Sequence, residues 1–306
     1  MEPYEVAGVV RELTPGAGVG SLSGYEAYRR ELCAVAAQDS RVVCLAASPG
    51  AVGHPFEAAH PDRFFGLPGI ASAMVEVVSG LVAAGFRPFV CTVASPTGPG
   101  AAGSLHLRTR YLEAGATVVT PYAGFLEDYA VLRRLKGVAL AAPCGDAETR
   151  AVLRAAARSD RPFHIRVGDV PVPDWPRADL GPEAPAPVPP VFWEFTGARA
   201  QAVCLVSVGE EGVGLARAVR KAAPWLAHAH LVCLDDAHLE AAAGELALRH
   251  SKFVVTSACP GAGGVAATLA RLLPGREVTA AHGAADRAGG QVTGVLRAAD
   301  QLAACA

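Results

Sequence analysis

Charged and aromatic residues are scarce in this 306-residue chain, at 18% and 6% of the total, whereas hydrophobic residues reach 51%. This composition is typical of a compact α/β protein and argues against disorder, because disordered chains carry much charge and little apolar surface. The formal net charge is only −2, and charges of both signs are scattered along the chain. The basic stripe expected of a nucleic-acid-binding protein is therefore missing.

Long apolar segments are also missing. No apolar run reaches the ~18–20 residues needed to cross a bilayer. The N-terminal residues 1–5 (MEPYE) lack the basic start and the apolar core of a signal peptide. These absences predict a cytoplasmic protein without a membrane partner.

Closely spaced cysteine pairs are absent, although the chain contains eight cysteines. None belongs to a CxxC motif, and most lie in apolar runs such as residues 42–45 (VVCL). This pattern favours buried thiols over metal or disulfide roles. We therefore predict free thiols at Cys33, Cys44, Cys91, Cys144, Cys204, Cys233, Cys259 and Cys305.

What the chain does contain is a regular alternation of short apolar runs with helix-length stretches. Residues 1–20 show no steady periodicity and are expected to form an N-terminal arm. Beyond them, strands are predicted near 41–47, 87–94, 117–122, 138–142 and 163–167, and helices near 25–38, 101–114, 125–135 and 146–158. Continuous apolar strands are buried on both faces, which favours a parallel sheet covered by helices.

Prolines are concentrated between residues 170 and 190 and predict a linker over 170–199. A second alternation follows, with strands near 202–209, 231–234, 253–256 and 278–281 and helices near 211–222, 238–249, 263–273 and 290–303. The sequence thus predicts an α/β fold of two three-layer α/β/α domains with mainly parallel sheets. Their predicted ranges are residues 21–169 and 200–306, joined by the Pro-rich linker.

Two glycine-rich stretches deserve comparison with anion-binding loops. Residues 49–53 (PGAVG) follow a predicted strand, but His54 and the two residues after it are not expected to open the helix that a dinucleotide-binding loop requires. Residues 261–264 (GAGG) could bind an anion at a helix N-terminus, although a tight turn is favoured. His228 and His230 have the spacing of strand neighbours, and no ligand role is expected for them.

One long stretch organises the first predicted domain. Residues 61–74 read PDRFFGLPGIASAM, and the pattern continues through Gly80 to RPFV at 87–90. Shorter matching segments stand in order around it, at 25–28 (YEAY), 122–124 (YAG) and 161–166 (RPFHIR). Over nearly all of residues 21–306 the chain resembles the pyrimidine-binding and C-terminal domains of the transketolase family. That family includes 1-deoxyxylulose-phosphate synthases and is related to E1 β-type subunits.

The resemblance implies thiamine diphosphate as a cofactor shared with a partner chain. The family holds the diphosphate and Mg²⁺ through a Gly-Asp-Gly…Asn motif that this sequence lacks, and no metal ligands are predicted here. The implied partner is an N-terminal-half transketolase subunit, in a heterotetramer, and this chain would not act alone. Two functions stay open: a two-carbon ketol or acyl transferase of specialised metabolism, or a non-catalytic structural or regulatory subunit.

The sequence departs from the family at the glutamate that hydrogen-bonds the pyrimidine ring. Alignment without gaps puts Ala71 at that position, and alignment on the local GIA segment puts Ser72 there. Neither residue supplies a carboxylate for acid–base chemistry. Glu76, one helical turn after Ser72, is the candidate replacement, although it could instead face solvent or an interface.

Two further groups of the family are missing. Pro96 falls where the family stacks an aromatic ring on the pyrimidine, and the loop that carries the substrate histidine is deleted between Phe125 and Leu126. Arg166 matches an arginine near the substrate phosphate, but Gly168-Asp169 replaces the family's second arginine. The residues that the resemblance assigns to the cofactor pocket are Ala71, Ser72, Thr92, Pro96 and Tyr122.

Overall fold

The computed structural model describes residues 22–46, 53–67, 73–92, 100–121, 129–168, 171–172, 188–196, 203–256, 264–281 and 288–304. The first sheet contains β1 (Val42–Ala46), β2 (Phe64–Gly66), β3 (Arg87–Cys91), β4 (Thr117–Pro121), β5 (Ala139–Ala141) and β6 (Phe163–Val167). Its order is β2-β1-β3-β4-β6-β5, and every pair in it is parallel. The predicted parallel α/β architecture is confirmed.

Helices cover both faces of this sheet and complete the first domain. They are α1 (Gly24–Gln38), α2 (Pro55–Ala59), α3 (Met74–Ala83), α4 (Gly100–Glu113), α5 (Tyr129–Leu132) and α6 (Gly145–Arg158). Apolar side chains of α1 and α6 pack with Cys44, Phe89 and Ile165 on one face. Those of α3 and α4 pack with Val43 and Val90 on the other face, because successive strand residues point to opposite sides.

The second sheet is mixed rather than fully parallel. Its strands are β7 (Phe192–Phe195), β8 (Val203–Val208), β9 (Ala227–Leu231), β10 (Lys252–Thr256) and β11 (Glu277–Ala280). Their order is β11-β10-β8-β9-β7, with β7 antiparallel to β9. The helices are α7 (Gly209–Ala222), α8 (Asp236–Ala247), α9 (Val265–Leu272) and α10 (Ala288–Ala304). Side chains of α7 and α10 cover one face, and side chains of α8 and α9 cover the other.

Three local expectations were wrong or incomplete. The strand predicted near 231–234 begins at Ala227, because two histidines interrupt its apolar pattern. The edge strand β7 lies inside the range predicted as linker, where aromatic residues follow the prolines. Residues after His54 do open a helix, since Pro55 suits the first helical position and His54 Nδ1 accepts a hydrogen bond from the Phe56 N–H at 3.1 Å. That helix is only five residues long.

The two domains share one hydrophobic core and are joined by backbone hydrogen bonds. A single cluster of buried residues runs from Leu45 in β1 to Phe253 in β10. Ala141 forms an antiparallel bridge with Cys233, flanked by bonds from Ala142 N–H to the Val232 carbonyl and from Leu234 N–H to the Leu140 carbonyl, each 2.8 Å. The edge strand β5 is therefore paired by the second domain rather than left open.

Among the described residues, no helix combines the length and apolarity needed for a membrane span.

Candidate functional site

The first sheet offers a candidate site at the carboxyl ends of β1 and β3. From β1 the chain proceeds to β2 on one side, and β3 lies on the other side, so the strand order reverses between β1 and β3. In open parallel sheets, ligands bind in the crevice at such a reversal. Among the residues predicted for the cofactor pocket, Thr92 lies there, directly after β3.

Thr92 is held firmly at this edge. The residue is 8% exposed, and its backbone N–H donates to the Val119 carbonyl at 3.1 Å. The preceding Cys91 is buried beside Tyr28, and burial raises the pKa of the Cys91 thiol to about 12. This end of β3 therefore presents an uncharged, largely apolar surface without a thiolate nucleophile.

Glu76 does not point into the first domain. It lies on the exposed face of α3, whereas Val75 and Val78 on the opposite face are buried. Burial raises the pKa of Tyr111, on the neighbouring helix α4, to about 12, and the charge of the Glu76 carboxylate adds to this shift. On this face Glu76 could reach a cofactor only in a site formed with a partner chain, and its catalytic role stays a prediction.

The other predicted site residues divide into two groups. Arg166 is 6% exposed and lies on β6 beside His164, whose Nε2 is 3.2 Å from Thr120 Oγ1. It projects from the sheet face opposite to Ile165 and Val167, which pack under α1 and α6. The remaining residues lie outside the described ranges and stay predictions: Ala71, Ser72, Pro96 and Tyr122.

Arg63, in the segment of residues 61–74 that resembles the transketolase family, has a structural role. Arg63 Nη1 donates to the carbonyls of Ala36, Asp39 and Val42 at 3.1, 3.3 and 3.3 Å. These bonds satisfy carbonyl groups at and beyond the end of α1, which the helix itself leaves without partners. This arginine therefore anchors α1 to the sheet and is not a ligand-binding group.

A buried polar chain at the domain junction escaped the sequence analysis. Glu148 Oε2 on α6 lies 3.1 Å from His230 Nε2 on β9, and His230 Nδ1 lies 3.1 Å from Ser207 Oγ on β8. Ser207 Oγ is in turn 2.8 Å from His228 Nε2. The two-residue spacing of the histidines was visible in the sequence, but their partners come from distant elements.

These hydrogen-bonded residues are of the types found in a Ser-His-acid hydrolase, but no substrate can reach them. Ser207, His228 and His230 are completely buried, and Glu148 is 3% exposed. Glu148 Oε2 also accepts the Cys144 N–H at 2.8 Å, at the start of helix α6. A nucleophile that no substrate can reach does not catalyse hydrolysis. We therefore interpret this Glu148–His230–Ser207–His228 chain as a connection between the domains.

A second carboxylate reaches across the same junction. Glu210, in the first turn of α7, is 4% exposed, and its Oε1 is 3.5 Å from the Gly145 N–H at the start of α6. It lies against Gly168, where a Cβ atom would overlap the carboxylate. The N-terminus of α6 thus receives a carboxylate from each domain, which its dipole favours. The adjacent Cys144 thiol has a raised pKa, chiefly through burial and then through the charge of Glu148.

The described residues do not fit the acid–base and metal parts of the expected cofactor site. They contain no group of three or more His, Cys, Asp or Glu side chains arranged to hold a metal ion. The buried carboxylates Glu148 and Glu210 are engaged at the domain junction, and Glu76 is exposed. None of these three carboxylates is therefore available to a thiamine ring at the edge of the sheet beside Thr92.

Comparison with known proteins agrees with the fold. An uncharacterised transketolase family protein of Sinorhizobium fredii is 27% identical over 180 residues, which is 52% of each protein. The chain thus matches about half the length of this curated relative. No family model matches the sequence.

Two solved structures share the architecture over most of the chain. A split-gene transketolase, solved as an inactive β4 tetramer, has a TM-score of 0.74 and 22% identity, covering 92% of this chain and 99% of that one. The transketolase of Leishmania mexicana has a TM-score of 0.67 and 16% identity, covering 93% of this chain and 46% of its own. The chain therefore has a transketolase-like fold, and about half of its sequence is similar to a protein of the transketolase family.

Proposed function

We propose that this chain is the C-terminal-half subunit of a heteromeric, thiamine-diphosphate-dependent enzyme that transfers a two-carbon ketol or acyl unit. The observation that carries the proposal is the fold match with the split-gene transketolase, which extends over 99% of that chain. That protein is inactive as a tetramer of one chain type. Its inactivity supports a requirement for a second, different chain.

In this proposal the partner is an N-terminal-half subunit that holds the diphosphate and Mg²⁺, and the assembly is a heterotetramer. Bound thiamine diphosphate supplies an electron sink for cleaving the bond next to a carbonyl. This chain contributes a wall of the pocket at the end of β3, where Thr92 offers a buried hydroxyl beside the neutral Cys91. Residues Ala71, Ser72, Pro96, Tyr122 and Arg166 are the further proposed lining residues.

The alternative is a non-catalytic structural or regulatory subunit of such a complex. It is favoured by one specific observation, the exposed position of Glu76, which is the only candidate that the sequence offered for the missing acid. A hydroxyl or methyl group at positions 71 and 72 cannot take over general acid–base work. In this alternative the chain keeps the fold and the partner-binding surfaces while the chemistry is done elsewhere or not at all.

Reconstitution with a partner chain distinguishes the two functions. The chain would be co-purified with an N-terminal-half chain that carries the Gly-Asp-Gly…Asn motif, thiamine diphosphate would be titrated by calorimetry, and donor cleavage would be assayed. A catalytic subunit predicts stoichiometric cofactor binding and measurable cleavage. We expect Ser72→Glu to raise the rate about tenfold or more, since it restores a carboxylate at the family position.

The matched control is Ala58→Glu, which adds the same charge on the exposed surface of α2 and should leave the rate unchanged. A stable complex that binds no thiamine diphosphate would support the non-catalytic function and contradict the catalytic one. Failure to form any complex with such a partner would contradict both functions.

A further inference from the structure

A cleft of about 600 Å³ opens between the two domains, away from the candidate site. Small-molecule sites typically have volumes of about 300–1,000 Å³. Its charged lining residues are Arg133, Arg134, Lys136, Arg161, Asp235 and Asp236. The cleft lies at the amino ends of β5 and β6, whereas Thr92 lies at the carboxyl end of the sheet. A five-residue strand separates these edges by roughly 16 Å.

Two of the basic residues are held in fixed positions by the protein. Arg133 Nη2 contacts Asp236 Oδ1 at 2.6 Å, and its Nη1 donates to Thr268 Oγ1 at 2.9 Å. Arg161 Nε donates to the Gly137 carbonyl at 3.1 Å, while its Nη2 is 3.9 Å from Asp235 Oδ2. These bonds fix the guanidinium planes before any ligand arrives, so less entropy is lost on binding.

The other two basic residues have no such neighbours. Arg134 and Lys136 are exposed on the same wall, and within the described part of the chain neither side chain has a hydrogen bond or an ion pair. Four cations and two carboxylates leave the cleft with two positive charges in excess. The chain as a whole is negative, at −2, so this cleft is a local exception.

We propose that the cleft is a binding site for a small multivalent anion of the phosphate class, such as a diphosphate or a phosphate ester. Arg134 and Lys136 supply the uncompensated charge, and the fixed fork of Arg161 supplies directed N–H donors, a combination that matches phosphate oxygens. The carboxylates Asp235 and Asp236 orient the arginines and are offset by them. This proposal is independent of the proposed function, because it uses neither the cofactor pocket nor a partner chain.

The test is calorimetric titration of inorganic pyrophosphate into the full-length chain in a phosphate-free buffer. We expect saturable binding at one site per chain that weakens as the salt concentration rises. The double variant Arg134→Gln/Lys136→Gln should weaken binding about tenfold or more, as expected for the loss of two charge contacts. Both positions are exposed, so the variant should keep the fold, which thermal unfolding verifies.

The matched control is Arg30→Gln/Arg110→Gln, which removes two positive charges from the exposed surfaces of α1 and α4. Pyrophosphate binding by the control should stay within twofold of the original protein. Equal weakening in both double variants would show a general charge effect and overturn the proposal. It would equally be overturned if millimolar pyrophosphate gave no saturable binding at low salt.

Discussion

At the scale of single residues, His54 shows how burial changes the chemistry of a polar group. It is 2% exposed, and its Nδ1 accepts the Phe56 N–H, which leaves the ring proton on Nε2. Burial, and next the charge of Arg29, lower the pKa of His54 from 6.5 to about 4. The histidine is therefore a neutral helix cap at physiological pH, set among Tyr28, Phe56 and Phe64.

This lowered pKa predicts a pH dependence of stability. Between pH 6.5 and 4 the unfolded chain binds a proton at His54 that the folded chain does not, so folding stability falls as the pH is lowered through that window, by up to roughly 3 kcal/mol. We expect His54→Asn, which keeps a capping side chain, to lose much less stability between pH 7 and 5. Urea unfolding at both pH values measures the difference.

The control for this prediction is His106→Asn on the exposed surface of α4, which should show the same pH dependence of folding stability as the original protein. An unchanged pH dependence in His54→Asn would contradict the assignment of a buried neutral imidazole.

At the scale of elements, the packing of α7 against the first domain depends on two glycines. Glu210 fills the space beside Gly168, and a Cβ at Gly24 would meet Glu210 Oε1 at 3.0 Å. A backbone hydrogen bond holds the two glycine segments together, since the Tyr25 N–H donates to the Gly168 carbonyl at 2.8 Å. A side chain at Gly168 must displace this buried carboxylate from the start of α6, whereas one at Gly24 requires it to shift by only a few tenths of an ångström.

Gly168→Ala is therefore expected to be destabilising by about 3 kcal/mol, within the range found for overpacked interiors. Gly80→Ala is the matched control, because nothing lies within 4 Å of its Cβ position on the exposed face of α3. That change should stabilise the helix by up to roughly 1 kcal/mol. Chemical denaturation of both variants measures the contrast, and equal stabilities would refute this account of the junction.

At the scale of the whole molecule, the domains are connected by a shared core, a backbone bridge and the Glu148–His230–Ser207–His228 chain. These four side chains join α6 of the first domain to β8 and β9 of the second. Removing one partner of a buried pair leaves the other without compensation for its lost hydration. The domains should therefore behave as one cooperative unit in unfolding.

A double-mutant cycle with Glu148→Gln and His230→Gln tests this connection. Each single change should be destabilising by about 2–4 kcal/mol, and their effects should be coupled by at least about 1 kcal/mol. Calorimetry should show one unfolding transition for the original protein and separate unfolding transitions of the two domains in the variants. Glu57→Gln on exposed α2 is the control. Additive effects of the two changes would argue against a direct pair.

Much of the architecture could be predicted because apolar runs bury strands on both faces. The strand at residues 163–167 and the helix over 25–38 were predicted to within a residue, and Ser23 with Glu26 provides the capping box that starts α1. The prediction failed for β9, where His228 and His230 replace the apolar residues of a buried strand. The histidines are accommodated there by polar contacts with Ser207 and Glu148, and neither partner is near in sequence.

The sequence by itself determined the family resemblance, the parallel α/β fold and the absence of a carboxylate at positions 71 and 72, because each depends on residue identity and local order. Only the tertiary structure decided that Glu76 faces outwards, that Arg63 anchors α1, and that Glu148 and Glu210 meet one helix end from two domains. These facts depend on which distant elements meet, since burial and hydrogen bonding determine what a carboxylate or an imidazole can do.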